Sequence, residues 1–468
     1  MPGFTPGRRY QPPFMPFKRT SFKKRVLAKI ELAVKGPLFG CRMCGNCLLQ
    51  ETAFICPMEC PKGLRNGPCG GSTPEKCYVD ESRPCIWYKI YERSFQLGRD
   101  ALLLVVLPPM DWDKAGTDAW SDVFIQAKNI GVTNIISGLT KREAGSASKT
   151  LDSIFRPVRQ PNWWQGDSLY HAPKYTRPVS ELERKLKAGE FVVTTEVAPP
   201  LSANTDKLKQ NIELVKPYVT SINFMDSPSA IPRMSSWACS KLALELGADA
   251  VMQIAARDRT RVGLQSDVMG AAALGVKNIL CLTGDSMVLG PGPRGRMDIV
   301  DIDAIQMLWI LRRMRDEGKY LDGREIKVPP QYFLGAAASP FASNMKFQAL
   351  REQKKVNAGA QFFQTNVVFD ADSIDEWLNE IAKREILDKV YILIGITPLK
   401  SYKTAVYMNS KIPGVFVPEK ILKRMENAKN KGNEKEEGVQ ITLELIEKIK
   451  IKQGVHGIHL MAVGWEEI

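Results

Sequence analysis

The sequence predicts a (β/α)8 barrel of the TIM type, preceded by a cysteine-rich, metal-binding α/β domain. Two observations point to the barrel and a third to the domain before it. From Ser180 onward, short apolar runs alternate with helix-like stretches, giving strand candidates at 191–197, 219–225, 250–255, 278–283, 331–337, 360–368, 390–396 and 458–463. Apolar runs of this length bounded by turn residues read as buried strands, and their alternation with helices reads as a parallel sheet. Eight such units over roughly 270 residues fit a barrel. No Gly-x-Gly-x-x-Gly follows the first strand, which leaves a doubly wound open sheet as runner-up. Third, eight of the ten cysteines lie between Cys41 and Cys85.

The chain divides into a basic arm at 1–40, a cysteine-rich domain at 41–158, a linker at 159–180 and the barrel at 181–468. Of the net charge of +14, residues 1–40 carry +8, nine Lys/Arg less one Glu. The start is Pro-rich and lacks the apolar core of a secretory signal; residues 1–25 read as a mobile arm. No nucleic-acid motif follows, so a docking tail for an acidic partner is the better reading of the charge. No run approaches the ~20 apolar residues of a membrane span, and a cytoplasmic protein is expected. Within the cysteine-rich domain, 91–98 is helix-like, while 101–107 and 132–137 are strand-like. The linker holds Trp163 and Trp164, expected as a docking contact between domains. The charged stretch 429–438 is expected to be a surface loop or helix end.

The cysteines are Cys41, Cys44, Cys47, Cys56, Cys60, Cys69, Cys77 and Cys85, separated by two, two, eight, three, eight, seven and seven residues. In a cytosolic chain such density argues for metal over disulfides. The Cys-x2-Cys-x2-Cys run is similar to ferredoxin-type spacing, in which a fourth thiolate closes a 4Fe–4S site. Structural zinc takes the same four thiolates. Eight thiols suffice for two clusters, for one cluster and a zinc site, or for one cluster with spare thiols. Cys239 and Cys281 read as core thiols.

Chemistry in such barrels sits at the C-terminal strand ends. The first strand ends in Glu196, the second carries Asn223, the third Gln253, and the fourth ends in Thr283-Gly284-Asp285. The fifth ends near Ala338, and the sixth carries Asn366. Glu196, apolar-flanked before Ala-Pro-Pro, is expected to have a raised pKa and to act as an acid. His171, His456 and His459 are expected to be structural or surface residues, the last two facing opposite sides of a strand.

At these residues the second half resembles the methylenetetrahydrofolate reductases, flavoprotein barrels. The matching stretches, in the family's order, are TTEVAPP, FMDSPSA with RMS behind it, the run from Gln253 through RDRTR and LQSD to LTGD, GAAASPFA, KKVNAGAQFFQTNVVFD and GIHLMAVGWEE. CGNCLLQETAFICPMECPKGLRNGPCGG and CYVDESRPCIWYKIYER resemble the cysteine-rich domain of the partner subunit of acetogen-type reductases. The resemblance implies that Glu196 is the general acid toward the folate nitrogen, and that Asp285, with Thr283 and Gly284, lies against FAD or FMN and the pterin. It implies that Asn223, Gln253 and Ala338 border the flavin, that Arg351, Lys354 and Lys355 hold its phosphate, and that Asn366 touches substrate. Thr283, Thr404 and Met408 depart from residues other members use toward nicotinamide or folate. The implied reaction is reduction of 5,10-methylenetetrahydrofolate to 5-methyltetrahydrofolate, with NAD(P)H or a ferredoxin-like partner as donor. A homo-oligomer or a subunit of a larger redox complex is expected. The alternatives are a flavin-free methyltetrahydrofolate-binding methyltransferase barrel and an inactive barrel serving as an electron-transfer scaffold.

Overall fold

A computed structural model describes residues 16–141, 146–159, 161–286, 300–341, 344–412, 414–462 and 464–467. Its centre is a closed barrel of eight parallel strands in sequential order. These are β1 (Val192–Val197), β2 (Ser221–Phe224), β3 (Ala250–Ala255), β4 (Asn278–Leu282), β5 (Phe333–Ala338), β6 (Phe362–Val367), β7 (Tyr391–Ile396) and β8 (Gly457–Leu460). β8 closes on β1, with Thr194 opposite His459. All eight fall within the stretches expected from sequence, to within a residue at the ends of β5 and β8.

Side chains alternate across a strand, so one interior column can change character along its length. At the N-terminal end Val192, Val251, Leu280, Phe333, Phe362 and Leu393 form an apolar plug with Leu182 and Leu186. The short helix Glu181–Lys187 supplies those two leucines, capped by Ser180, whose hydroxyl accepts from Glu183 N. Two residues further along the same strands the interior turns polar, with Thr194, Gln253, Gln364 and His459 all buried. The barrel is thus sealed below and functional above.

The region before the barrel is helical, not α/β. Its helices are α1 (Phe22–Phe39), α2 (Ile86–Gln96), α3 (Trp120–Ile130), α4 (Val132–Thr140) and α5 (Ser146–Arg159), and no strand precedes Val192 among the described residues. The strand expected at 132–137 is α4, and the one at 101–107 begins as the 3-10 turn Asp100–Leu104. Neither run has a neighbouring strand: α4 bonds within itself, while Val106 N donates to the Asp167 carbonyl and Leu107 N to Asn66 Oδ1. The arm is also corrected from Phe22 on; residues 1–15 lie outside the described residues. Within α1, Glu31 accepts from Ala119 N and Trp120 N at 2.8 and 3.2 Å, and Lys35 Nζ pairs with Glu31 at 2.5 Å. A buried ion pair of this kind fixes the helix in place.

This cysteine-rich head sits on the C-terminal mouth of the barrel. Phe347 packs against Tyr88, Tyr91 and Phe95, with ring centroids 5.2–6.2 Å apart. Asp303 accepts from Arg65 N and from Asn66 Nδ2 at 3.3 and 2.9 Å. Trp164 is buried against Trp309, 6.3 Å between ring centres, and donates Nε1–H to the Val106 carbonyl. The expected docking role of the paired tryptophans matches these contacts. No helix among the described residues is long and apolar enough to cross a membrane.

Candidate active site and cysteine centres

Glu196 points into the barrel from β1. Gln253 Nε2 of β3 donates to its Oε1 at 2.8 Å, and His459 Nε2 of β8 lies 3.4 Å from the same oxygen. The direction expected for its pKa is reversed. Burial pushes the carboxyl up, but the hydrogen bond and charge of His459 and the amide of Gln253 outweigh it, and Glu196 lies below its ordinary value. Beneath the acid runs a closed amide network. Asn223 Nδ2 donates to Gln364 Oε1 at 2.6 Å, and Gln364 Nε2 donates to Thr194 Oγ1 at 3.0 Å. Asn223 is therefore fully engaged inside the barrel.

Past β4, Gly284 adopts φ +83°, and a Cβ there would come within 3.0 Å of Ala255 Cβ. Only glycine takes that backbone without strain, and the turn presents Asp285. The Asp285 carboxylate accepts from Ser229 N at 2.8 Å and from the Tyr78 hydroxyl at 3.5 Å. The Thr283 carbonyl accepts from Arg257 N. Lys62 Nζ donates to the Gly284 carbonyl at 2.7 Å. The head thus reaches the β4 turn at two points. Asn366 on β6 donates Nδ2–H to Ser339 Oγ at 3.5 Å, just beyond the buried Ala338 that ends β5.

The helix Met345–Ala358 follows β5 and carries the three expected phosphate-binding cations. Arg351 donates to Gln348 Oε1 at 3.3 Å. Lys355 donates to the Ala337 carbonyl; burial, then Arg351, push its pKa well down, against the pull of Glu352. Lys354 is 1% exposed and makes no hydrogen bond or ion pair among the described residues. Burial brings its pKa down to about 7, opposed only by the charge of Asp303. A buried amine with no anion within hydrogen-bonding reach is a fit for a phosphate.

The eight thiols fall into two groups of four. Cys41, Cys44, Cys47 and Cys56 line one opening, with Lys35 and Glu31. Cys60, Cys69, Cys77 and Cys85 line another, with Lys62 and Arg83. All ten cysteines are free, so no disulfide is formed. Burial pushes Cys41 up to about 11, Cys60 to about 12 and Cys85 to about 11, with neighbouring thiols adding to the rise. Thiols crowded in this way become thiolates only when a cation binds them. Among the described residues no three His, Cys, Asp or Glu side chains close tightly around a single ion; each quartet surrounds an opening instead. Cys239 and Cys281 are buried in the barrel's apolar clusters, as expected.

The sequence places Gln364 on the sixth strand without giving it a role, and two further site residues escaped it. His459, expected to be structural or on the surface, faces Glu196; counting by twos along β8 against its pairing with β1 would have found it. Gln364 carries the same period-two signal on β6. Tyr78 follows a cysteine in a loop, and no local signal there points to Asp285.

The family described as methylenetetrahydrofolate reductase matches residues 181–468, and that described as methylene-tetrahydrofolate reductase C terminal matches residues 21–113. A Caenorhabditis elegans protein named "Probable methylenetetrahydrofolate reductase (NADPH)" is 23% identical over 311 residues, covering 63% of this chain and 44% of that protein. The chain thus spans under half the length of that relative. A Clostridium thermocellum structure, described as binding two copies of 5-methyl-5,6,7,8-tetrahydrofolic acid, is 18% identical with a TM-score of 0.43, covering 61% of this chain and 93% of that one. A riboflavin lyase structure is 12% identical with a TM-score of 0.35, covering 58% and 87%. With the first family match spanning more than half of its length, the chain belongs to the methylenetetrahydrofolate reductase family.

Proposed function

We propose that the chain reduces 5,10-methylenetetrahydrofolate to 5-methyltetrahydrofolate at the C-terminal mouth of the barrel, and that reducing equivalents enter through the cysteine-rich head. The observation that carries this reading is convergence on one mouth. Half-buried Glu196 and the Gly284–Asp285 turn lie at the same end of the barrel, and the loop bearing Cys77 and Tyr78 hangs over that turn.

Glu196 gives a proton to the folate nitrogen, which opens the substrate's one-carbon bridge. Gln253 and His459 hold the carboxyl in place for that transfer. Asp285 orients the pterin from the opposite strand. Arg351, Lys354 and Lys355 would hold the phosphate of FAD or FMN, and the uncompensated amine of Lys354 is the feature that fits it. A bound flavin supplies the hydride for the one-carbon unit. Each cysteine quartet offers four thiolates, the set that a 4Fe–4S cluster takes and that the zinc alternative takes as well. When bound, such clusters supply single-electron transfer.

The test is Glu196→Gln, followed with an artificial electron donor. A general acid contributes roughly 10²–10⁴-fold, so the variant should lose folate reduction by that factor while the rate of its own reduction by the donor stays unchanged. Full activity in the variant removes Glu196 as the acid. Purified protein without a flavin absorption band would favour a methyltransferase barrel instead, and absence of turnover with any donor would favour a scaffold.

A further inference from the structure

The chain has three histidines, and His459 is the one buried inside the barrel beside the acid. Its Nδ1 lies 2.9 Å from Thr194 Oγ1 and 3.3 Å from Gln364 Nε2. Its Nε2 faces Glu196 Oε1 at 3.4 Å. The groups around the pair come from five strands: Thr194 and Glu196 from β1, Asn223 from β2, Gln253 from β3, Gln364 from β6 and His459 from β8. All but Glu196 and His459 are neutral.

The ring is satisfied with either one or two protons. Carrying one on Nε2, it donates to Glu196 and accepts at Nδ1 from the Gln364 amide. Carrying two, it also donates from Nδ1 to Thr194 Oγ1, whose hydrogen turns to the Ile458 carbonyl at 3.4 Å. Most buried histidines strand a polar atom when their charge changes; this one does not. A site that accommodates both forms can store a proton.

We propose that Glu196 and His459 hold one proton between them, and that His459 hands it to Glu196 as the acid protonates the folate nitrogen. The proposal rests on Glu196 being the acid. The Glu196 O–H bond breaks as the nitrogen–hydrogen bond of the substrate forms. That O–H bond forms as the Nε2–H bond of His459 breaks, so the pair ends as a carboxylate beside a neutral ring with its hydrogen on Nδ1, toward Thr194. Solvent returns the proton after product leaves. His459 acts through Glu196 and is a positioning residue.

Two measurements test the pair. The first is histidine-ring NMR of the full chain against pH, with only three rings to assign. In Glu196→Gln the midpoint of the His459 signals should move toward acid by about one unit, as loss of a facing carboxylate requires, while His171 and His456 stay put. An unmoved His459 midpoint overturns the proposal. This arm needs no substrate, so its failure is distinct from failure of the reductase reading. The second is the pH profile of His459→Gln, which keeps a neutral N–H toward Glu196 but cannot store a proton. Folate reduction should fall about tenfold at about pH 8.5 and little at about pH 6, a fraction of the full acid contribution. A profile superimposable on the unsubstituted chain also overturns it.

Discussion

The quartet of Cys41, Cys44, Cys47 and Cys56 lies under α1 among cations, whereas the quartet of Cys60, Cys69, Cys77 and Cys85 lies over the barrel mouth. Around the first, Lys35 Nζ reaches Cys47 Sγ at 3.5 Å. Arg65 is fully buried beside it, donating to the Pro108 carbonyl at 2.8 Å and facing Cys44, Cys56 and Cys47. Around the second, Tyr78 follows Cys77 directly and meets Asp285, and Gly70 lies against Ser339 at the end of β5. Under the proposed function, the first quartet would receive electrons from outside and the second would hand them to the mouth. The difference shows that proximity to the site is set by which loop crosses the barrel, since both quartets belong to the same short stretch of chain.

The largest effect expected from breaking this division comes from single thiols. Cys77→Ser and Cys44→Ser should each lower iron and sulfide per chain by about half, as two independent four-thiolate sites require. Cys44→Ser should lose turnover with a protein electron carrier yet keep it with a small dye. Cys77→Ser should lose both, because its loop overhangs Asp285. Equal behaviour of the two variants with the dye would erase the distinction between outer and inner quartets.

A smaller effect is expected at the seam. Lys354 feels the charge of Asp303, which Arg65 and Asn66 hold from the loop between Cys60 and Cys69. Its folded pKa of about 7 lies below its unfolded value. The unfolded chain therefore binds more protons between pH 7 and the ordinary lysine range. Stability of the flavin-free chain should rise with pH through that window, the penalty below it being on the order of 5 kcal/mol. Lys354→Met should flatten this dependence in thermal melts, and saturating flavin should flatten it in the unsubstituted chain. A flat profile in the flavin-free chain would show that the amine is already paired.

The smallest effect sharpens the inner contact. Tyr78→Phe removes one hydroxyl from Asp285, a change of about 0.5–1.5 kcal/mol, and should slow folate reduction a few-fold while leaving iron content intact. A loss as deep as that of Cys77→Ser would mean that the hydroxyl does more than steady Asp285.

Much of the barrel was legible because a strand buried on both faces must be apolar along its length, and those runs stand out between amphipathic helices. Glu196 and the Gly284–Asp285 turn were legible for a related reason: a polar residue at the end of an apolar run must have a use. The runs at 101–107 and 132–137 carried the same apolar signal and were misread. Val132, Ile136 and Leu139 remain exposed on α4, so their hydrophobicity reported no buried strand at all.

By itself the sequence determined eight buried strands, a mouth with an acid on the first and a glycine–aspartate turn after the fourth, and a head dense in thiols. Those features follow from local composition and spacing. Only the tertiary structure decided which thiols form a quartet, that the second quartet lies against the mouth, and that His459 stands beside Glu196. Each of these joins residues far apart in the chain, Glu196 to His459 across the barrel's closing seam and Tyr78 to Asp285 across the junction of head and barrel. The closing register of β1 on β8 and the docking of the head set those distances, and neither is written in any local stretch.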